Sequence, residues 1–325
     1  MIVVWQVTEH CNLSCPFCAF DRSIKRLRAD ADPKRLLRFG EVLAQYQQET
    51  GDPVLVSWLG GEPLLWEPLE KISSRFVHVN GLQVATTTNG TALRSAKTRR
   101  HLIDCYSEIT VSIDAIGDAH DEIRGAPGLF SSLSSAIRQL AEESKNAGGR
   151  LQLRANIVLM HHTIRSFASL CAELADWGID EISFNQLGGN DRPEFYPQNR
   201  LSPEDAALLT ATIPRLRAKL AMRGVRLLGS VEYLRRMDAS SRNEAVAVHD
   251  CRPGAAFLFV DRQGRLAPCS FTADRLGISV DELNSVDDLR RLPTRFASAI
   301  EQCRPTACDD CLSTRVFAKF STEEG

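Results

Sequence analysis

The amino-acid sequence predicts an α/β protein: a partial (β/α)6 barrel followed by a small C-terminal domain made of a β-hairpin and a helix. Three observations carry this. Six short apolar runs alternate with helix-periodic segments up to about residue 190, and regular strand and helix alternation implies a parallel sheet joined by right-handed crossovers. The alternation loosens after Arg192, and five of the ten cysteines lie from Cys251 onward, around a hairpin signal. The expected division is a barrel core over 1–190, a helical connector over 191–240 and a C-terminal domain over 241–325.

The first strand, Ile2 to Val7, is an apolar run that reads as buried, and Pro33 to Gln48 after it has helical periodicity. The unit recurs as strand Val54 to Trp58 with helix Glu67 to Val77, and strand Leu82 to Thr86 with helix Leu93 to Tyr106. Strand Ile109 to Ile113 with helix Leu129 to Asn146, strand Leu151 to Leu159 with helix Ile164 to Trp177, and strand Glu181 to Phe184 complete the six. Gly188-Gly189-Asn190 marks a loop. Ser202 caps a long helix to Met222 with Glu204 in its first turn, and Leu227 to Met237 leads to a boundary near residue 240. Phe257 to Pro268 reads as a hairpin turning at Gln263-Gly264, and Val280 to Arg291 is helix-like.

Composition is that of a globular chain, 43% hydrophobic and 25% charged, with a net charge of −2. Nothing in it has the electrostatic footprint of a nucleic-acid or anionic-membrane binder. The apolar N-terminal run is too short for a signal peptide, and no stretch approaches the roughly 18 apolar residues of a spanning helix. A cytoplasmic protein with no nucleic-acid or membrane partner is expected. In a reducing compartment the cysteines are more suited to thiolate chemistry than to disulfides. Cys105, before the fourth strand, and Cys171, in mid-helix, read as core residues.

Cys11-Asn-Leu-Ser-Cys15-Pro-Phe-Cys18 follows the first strand directly, so three thiols hang on one loop at a strand's C-terminal end. Three cysteines leave one iron of a [4Fe-4S] cluster open, as a catalytic zinc keeps an open position, although a structural zinc or cluster site would use the same residues. Gly60-Gly61-Glu62-Pro63 comes after the second strand, where glycines let backbone approach a ligand and a carboxylate can meet an ammonium group. Thr86-Thr87-Thr88-Asn89-Gly90 ends the third.

Together these segments resemble the radical S-adenosylmethionine enzyme superfamily over about residues 1–190. The resemblance implies that Cys11, Cys15 and Cys18 ligate a [4Fe-4S] cluster, that Phe17 lies beside the adenine, and that Gly60, Gly61 and Glu62 receive the methionine amino group. It places Thr88 and Asn89 among the cofactor-binding groups, and Ser112, Asp114 and Asn156 at the ribose or carboxylate. His120, Asp121 and Arg124 form a loop that recurs in relatives, where it positions ligands. The implied chemistry is one-electron reduction of S-adenosylmethionine by the cluster, fed by an external donor such as flavodoxin or ferredoxin. The resulting 5′-deoxyadenosyl radical abstracts a hydrogen from substrate.

The C-terminal cysteines are Cys251, Cys269, Cys303, Cys308 and Cys311. By spacing alone they allow a zinc ribbon. Beside the N-terminal motifs they resemble the SPASM and Twitch extensions, and five are too few for the two extra clusters of a full SPASM domain. The Twitch-like reading assigns Cys251, Cys269, Cys308 and Cys311 to one auxiliary [4Fe-4S] cluster that takes the substrate's electron, and leaves Cys303 spare as a candidate hydrogen donor. Arg192 and Glu194 lie at the end of the barrel where substrate would enter. The expectation is an oxidoreductase acting on a small polar metabolite. A peptide-modifying maturase and a non-enzymatic iron-sulfur or zinc protein are the rivals.

Overall fold

The structure, a computed structural model, describes residues 1–322. Its strands are β1 (Ile2–Thr8), β2 (Leu55–Gly60), β3 (Gln83–Thr88), β4 (Glu108–Ser112), β5 (Gln152–Leu159), β6 (Glu181–Gln186), β7 (Arg226–Leu227), β8 (Phe257–Val260), β9 (Arg265–Ala267) and β10 (Ile278–Ser279). The helices are α1 (Pro33–Thr50), α2 (Leu69–His78), α3 (Ala96–Cys105), α4 (Asp118–Arg124), α5 (Leu129–Asn146), α6 (Phe167–Asp176), α7 (Tyr196–Asn199), α8 (Pro203–Ala221), α9 (Val231–Ser241), α10 (Ala273–Leu276) and α11 (Val286–Gln302). All ten strands form one open sheet in the order β10-β9-β8-β1-β2-β3-β4-β5-β6-β7. From β1 to β7 each strand runs parallel to the next, as crossover helices require. Among the described residues no helix is long and apolar enough to cross a membrane.

Side chains alternate across this sheet. On β5, Leu153, Ala155, Ile157 and Leu159 are buried, whereas Gln152, Arg154, Asn156 and Val158 on the opposite face are partly exposed. The buried face packs on the helices. Trp5 meets Phe39 of α1 edge-on at 5.8 Å, and Trp58 meets Phe76 of α2 at 5.4 Å. Burial of each such ring contributes about 1.5–3 kcal/mol. The other, concave face is apolar at Val4, Leu59, Phe257 and Phe259 but polar from β3 to β6, and the polar part positions the site.

Several element ends differ from the sequence expectation, each for a local reason. The helix expected from Leu93 starts at Ala96, because Ser95 caps it by accepting from Thr98 N at 3.3 Å. The helix expected at Val280 starts at Val286, where Ser285 and Asp288 form a reciprocal capping box. α4 was not anticipated; glycines in positive-φ conformations, Gly117 and Gly125, bracket its roughly two turns. The hairpin does not stand apart from the barrel. β8 pairs in parallel with β1, Ile2 opposite Phe257 and Trp5 opposite Val260, so the segment after residue 240 continues the same sheet.

Candidate active site

The loop between β1 and α1 folds back on its own strand, with Glu9 N bonded to Ala29 O at 3.0 Å and Ala31 N to Val7 O at 2.8 Å. This holds Cys15 buried and Cys11 and Cys18 half-buried. Backbone donors face two of the sulfurs: Leu13 N lies 3.5 Å from Cys11 Sγ, and Phe20 N lies 3.4 Å from Cys18 Sγ. Arg124, at the end of α4, is 7% exposed and sets Nη1 3.9 Å from Cys15 Sγ. Its Nη2 pairs with Asp114 at 2.6 Å, and its Nε has no hydrogen-bond partner among the described residues. Burial pushes all three thiols up, Cys15 to about 12, while Arg124 pulls each of them down. Three softly basic sulfurs beside a buried cation fit an anionic iron-sulfur cluster, whose charge the guanidinium would offset.

The end of β2 is locked to this loop by backbone. Gly61 N donates to Thr8 O and Glu62 N to His10 O, both at 2.8 Å. A Cβ on Gly60 would fall 2.3 Å from Thr8 O, and one on Gly61 would fall 2.2 Å from His10 O. Only glycine fits at either position. The Glu62 carboxylate is fully buried and accepts from Asn89 N at 2.6 Å, Thr88 Oγ1 at 2.7 Å and Leu64 N at 3.1 Å, two of them on Oε1 and one on Oε2. These bonds fasten β2 to β3 and leave Oε2 room for a further donor. Asn89 in turn places Nδ2 3.8 Å from Cys11 Sγ and donates to Asn12 Oδ1 at 2.9 Å.

Burial raises Glu62 to about 7. In the unfolded chain it titrates near 4.3, so between these pH values the native state holds the extra proton and stability falls as pH rises. The expected loss is on the order of 3 kcal/mol from about pH 4.5 to 7. Glu62→Gln should flatten this slope in denaturant unfolding, and an unchanged slope would refute it.

On the concave face Ser112 pairs in register with Asn156, and Asn156 with Ser183. Asn156 Oδ1 accepts from Ser183 Oγ at 3.0 Å and from Lys319 Nζ at 2.8 Å. Asp114 is committed elsewhere: beyond Arg124 it accepts from Val158 N at 2.8 Å, so it acts on the cysteine loop through Arg124. Phe17 sits 5.5 Å beneath the Arg124 guanidinium and 6.3 Å from Phe195, against an apolar group formed by Ala115, Met160 and Leu187. That is an apolar bed at the ends of β4, β5 and β6.

Arg192 and Glu194 are also partnered. Arg192 bonds Asp21 of the cysteine loop at 3.0 Å and Glu194 on its other side, while Glu194 is largely exposed. The pair clasps the loop after β6 onto the cysteine loop, a task set by the two-residue spacing that lets one guanidinium span both carboxylates. His161 is likewise tied to Asp205, a capping residue of α8. Cys105 and Cys171 are buried as expected.

Cys251, Cys269, Cys308 and Cys311 line one cavity together with Phe257, Pro268 and Ile300. Paired backbones shape it, with Val248 N on Cys308 O at 3.1 Å and Cys311 N on Val246 O at 2.9 Å. Arg304 bridges Val248 O and Cys308 O, and Arg236 donates to Cys311 O at 2.7 Å. Among the described residues no three Cys, His, Asp or Glu side chains stand close enough to share a single ion. A tetrahedral zinc would need its sulfurs about 2.3 Å from one centre, whereas a cluster spreads its cysteines over separate irons. Cys303 is not among the residues that line this cavity, and it is exposed at the end of α11. Cys303→Ser should shift unfolding by less than about 0.5 kcal/mol and leave the iron content of the reconstituted protein unchanged.

The sequence places Arg124 in a recurring loop but does not show its partners Cys15 and Asp114, and it gives no sign of Lys319. A glycine on each flank of a short polar segment was the available signal for the first. The second has none, because a lone lysine near a chain end looks like solvated charge.

The Radical SAM superfamily model matches residues 5–174. The chain is 25% identical over 226 residues to Fe-coproporphyrin III synthase of Methanosarcina barkeri (strain Fusaro / DSM 804), covering 69% of this chain and 53% of that protein. It is 28% identical over 194 residues to pre-heme d1 synthase of Dinoroseobacter shibae, covering 57% of this chain and 43% of that one. The chain therefore spans about half the length of these relatives. Streptococcus suis SuiB bound to its precursor peptide SuiA is similar in fold, with a TM-score of 0.66 and 16% identity, covering all of this chain and 71% of SuiB. With a family match over more than half of its residues, on the parallel sheet and the cysteine loop just described, the chain belongs to the radical SAM superfamily.

Proposed function

We propose that this chain is an oxidoreductase that uses S-adenosylmethionine and a [4Fe-4S] cluster on Cys11, Cys15 and Cys18 to take a hydrogen atom from a small polar metabolite. The observation that carries it is the convergence, at one end of the parallel sheet, of three thiols, the buried Arg124, the Gly60-Gly61 backbone and Asn89. A cluster held by Cys11, Cys15 and Cys18 would supply the electron for reductive cleavage of S-adenosylmethionine. The Gly60-Gly61 backbone receives the methionine end, the Phe17 bed takes the adenine, and Ser112 and Asn156 face the reacting side. An external flavodoxin or ferredoxin is the reductant. Cys251, Cys269, Cys308 and Cys311 would hold a second, fully ligated cluster that accepts the electron left on the substrate. A small-molecule substrate is supported by the curated relatives, which are named for heme-type products.

Anaerobic incubation with dithionite and S-adenosylmethionine should release 5′-deoxyadenosine, and Cys15→Ala should abolish it. No product from the wild-type protein, with its iron in place, would overturn the assignment. Cys251→Ala should lower the iron content by about four atoms per chain and block oxidation of substrate while 5′-deoxyadenosine still forms. Full iron, or intact substrate oxidation, would remove the second cluster from the reaction.

A further inference from the structure

The segment after Cys311 passes beneath the barrel. Ser230 Oγ donates to Phe317 O at 2.9 Å, and Gly229 N donates to Ser321 O at 3.0 Å, so the tail is pinned to the turn before α9. From it Lys319, 5% exposed, extends to the concave face of the sheet and donates to Asn156 Oδ1 at 2.8 Å. The Phe320 ring lies 5.0 Å from the Lys319 ammonium and 5.2 Å from the Arg154 guanidinium. No carboxylate forms an ion pair with Lys319 among the described residues. The acidic groups of the neighbouring layer are already taken: Glu108 by Arg154 at 3.0 Å, and Glu181 by Arg154 and Arg226.

An ammonium has three N–H donors, and here one meets a neutral amide while the others meet no acceptor among the described residues. Burying such a cation without a counter-charge is costly, and such costs persist where a ligand repays them. The wall beside it also points to a ligand. Thr87 and Thr110 pair in register, as do Ser112 and Asn156; Thr87, Thr110 and Ser112 are partly exposed residues, and their hydroxyls make no hydrogen bond among the described residues. Desolvation and Arg154 together bring Lys319 down to about 7, so its ammonium form is disfavoured until a counter-charge is placed beside it.

We propose that Lys319 forms the floor of the substrate site and binds a carboxylate of the substrate, with the Thr87, Thr110 and Ser112 hydroxyls taking its remaining polar groups. The substrate class is thereby narrowed to small polar carboxylic acids. This rests on the function proposed above for the existence of a substrate at that face.

The test compares thermal unfolding of the full-length reconstituted protein and its Lys319→Met variant in sodium acetate and sodium chloride at equal ionic strength. Acetate is expected to raise the wild-type midpoint by a few degrees over chloride. Lys319→Met should unfold above wild type in chloride and show no added effect of acetate. Equal acetate effects in the two proteins, or a variant that unfolds below wild type in chloride, would make Lys319 a structural peg and overturn the proposal. If Lys319→Met does not fold, acylation of wild-type Lys319 read by peptide mass spectrometry decides: acetate slows it several-fold relative to chloride if the site is real and leaves it unchanged if not. 5′-Deoxyadenosine formation by the same wild-type preparation separates the two proposals, since its absence would refute the radical chemistry whatever the anion result.

Discussion

Arg124→Met is expected to cost about 3–5 kcal/mol of stability and to leave the N-terminal cysteines unable to retain iron. Removing the guanidinium strands Asp114, which is 1% exposed and has only Val158 N as a remaining donor. It also removes the cation 3.9 Å from Cys15, against which all three thiols would otherwise lose their protons. Arg124→Lys should rescue little, because a single ammonium cannot reach Asp114 and Cys15 together as the planar fork does. Chemical unfolding of the apo protein and iron analysis of the reconstituted one measure the two effects. A variant with full iron and a stability change under about 1 kcal/mol would show that the pair is incidental.

Gly61→Ala should be nearly as damaging, through backbone alone. The new methyl would stand 2.2 Å from His10 O and 2.9 Å from Glu9 C, neither of which can swing aside as a side chain can. The loop must move away from β2, breaking the Glu62 N to His10 O hydrogen bond. Overpacking of this kind costs about 1–3 kcal/mol, and S-adenosylmethionine binding by equilibrium dialysis should fall below detection. Gly188→Ala is the control, since nothing lies within 4 Å of a Cβ there. Equal binding by both variants would show that the Gly60-Gly61 turn is not where the cofactor sits.

Much of this was legible in the sequence, because period and spacing are local properties. The six strands β1 to β6 and their crossover helices follow from apolar runs of the right length, and the capping residue Ser202 marks the start of α8 one residue ahead of Pro203. The resemblance set Cys251, Cys269, Cys308 and Cys311 apart from Cys303, while their spacing alone could not, because it leaves open which cysteines meet in one cavity. What escaped depends on groups far apart in the chain. The bonds that Glu62 accepts from Thr88 and Asn89 could not be read, because those residues lie at the end of the next strand. Arg192 looked free because Asp21 is 171 residues away. Lys319 meets Asn156 across 163 residues, a separation at which periodicity carries no information.

β1 carries hydrogen-bond ladders on both edges, to β2 on one side and β8 on the other. Its amides alternate between the two ladders, and those that face β8, beginning with Ile2 N on Ala256 O, cannot become solvent-exposed without releasing a strand from late in the chain. Amide hydrogen exchange at Ile2 and Val4 should therefore keep pace with that at Leu258 and Phe259, as expected of segments that open together. The beginning and the end of the polypeptide would then melt as a single cooperative body, and neither cysteine group would outlast the other.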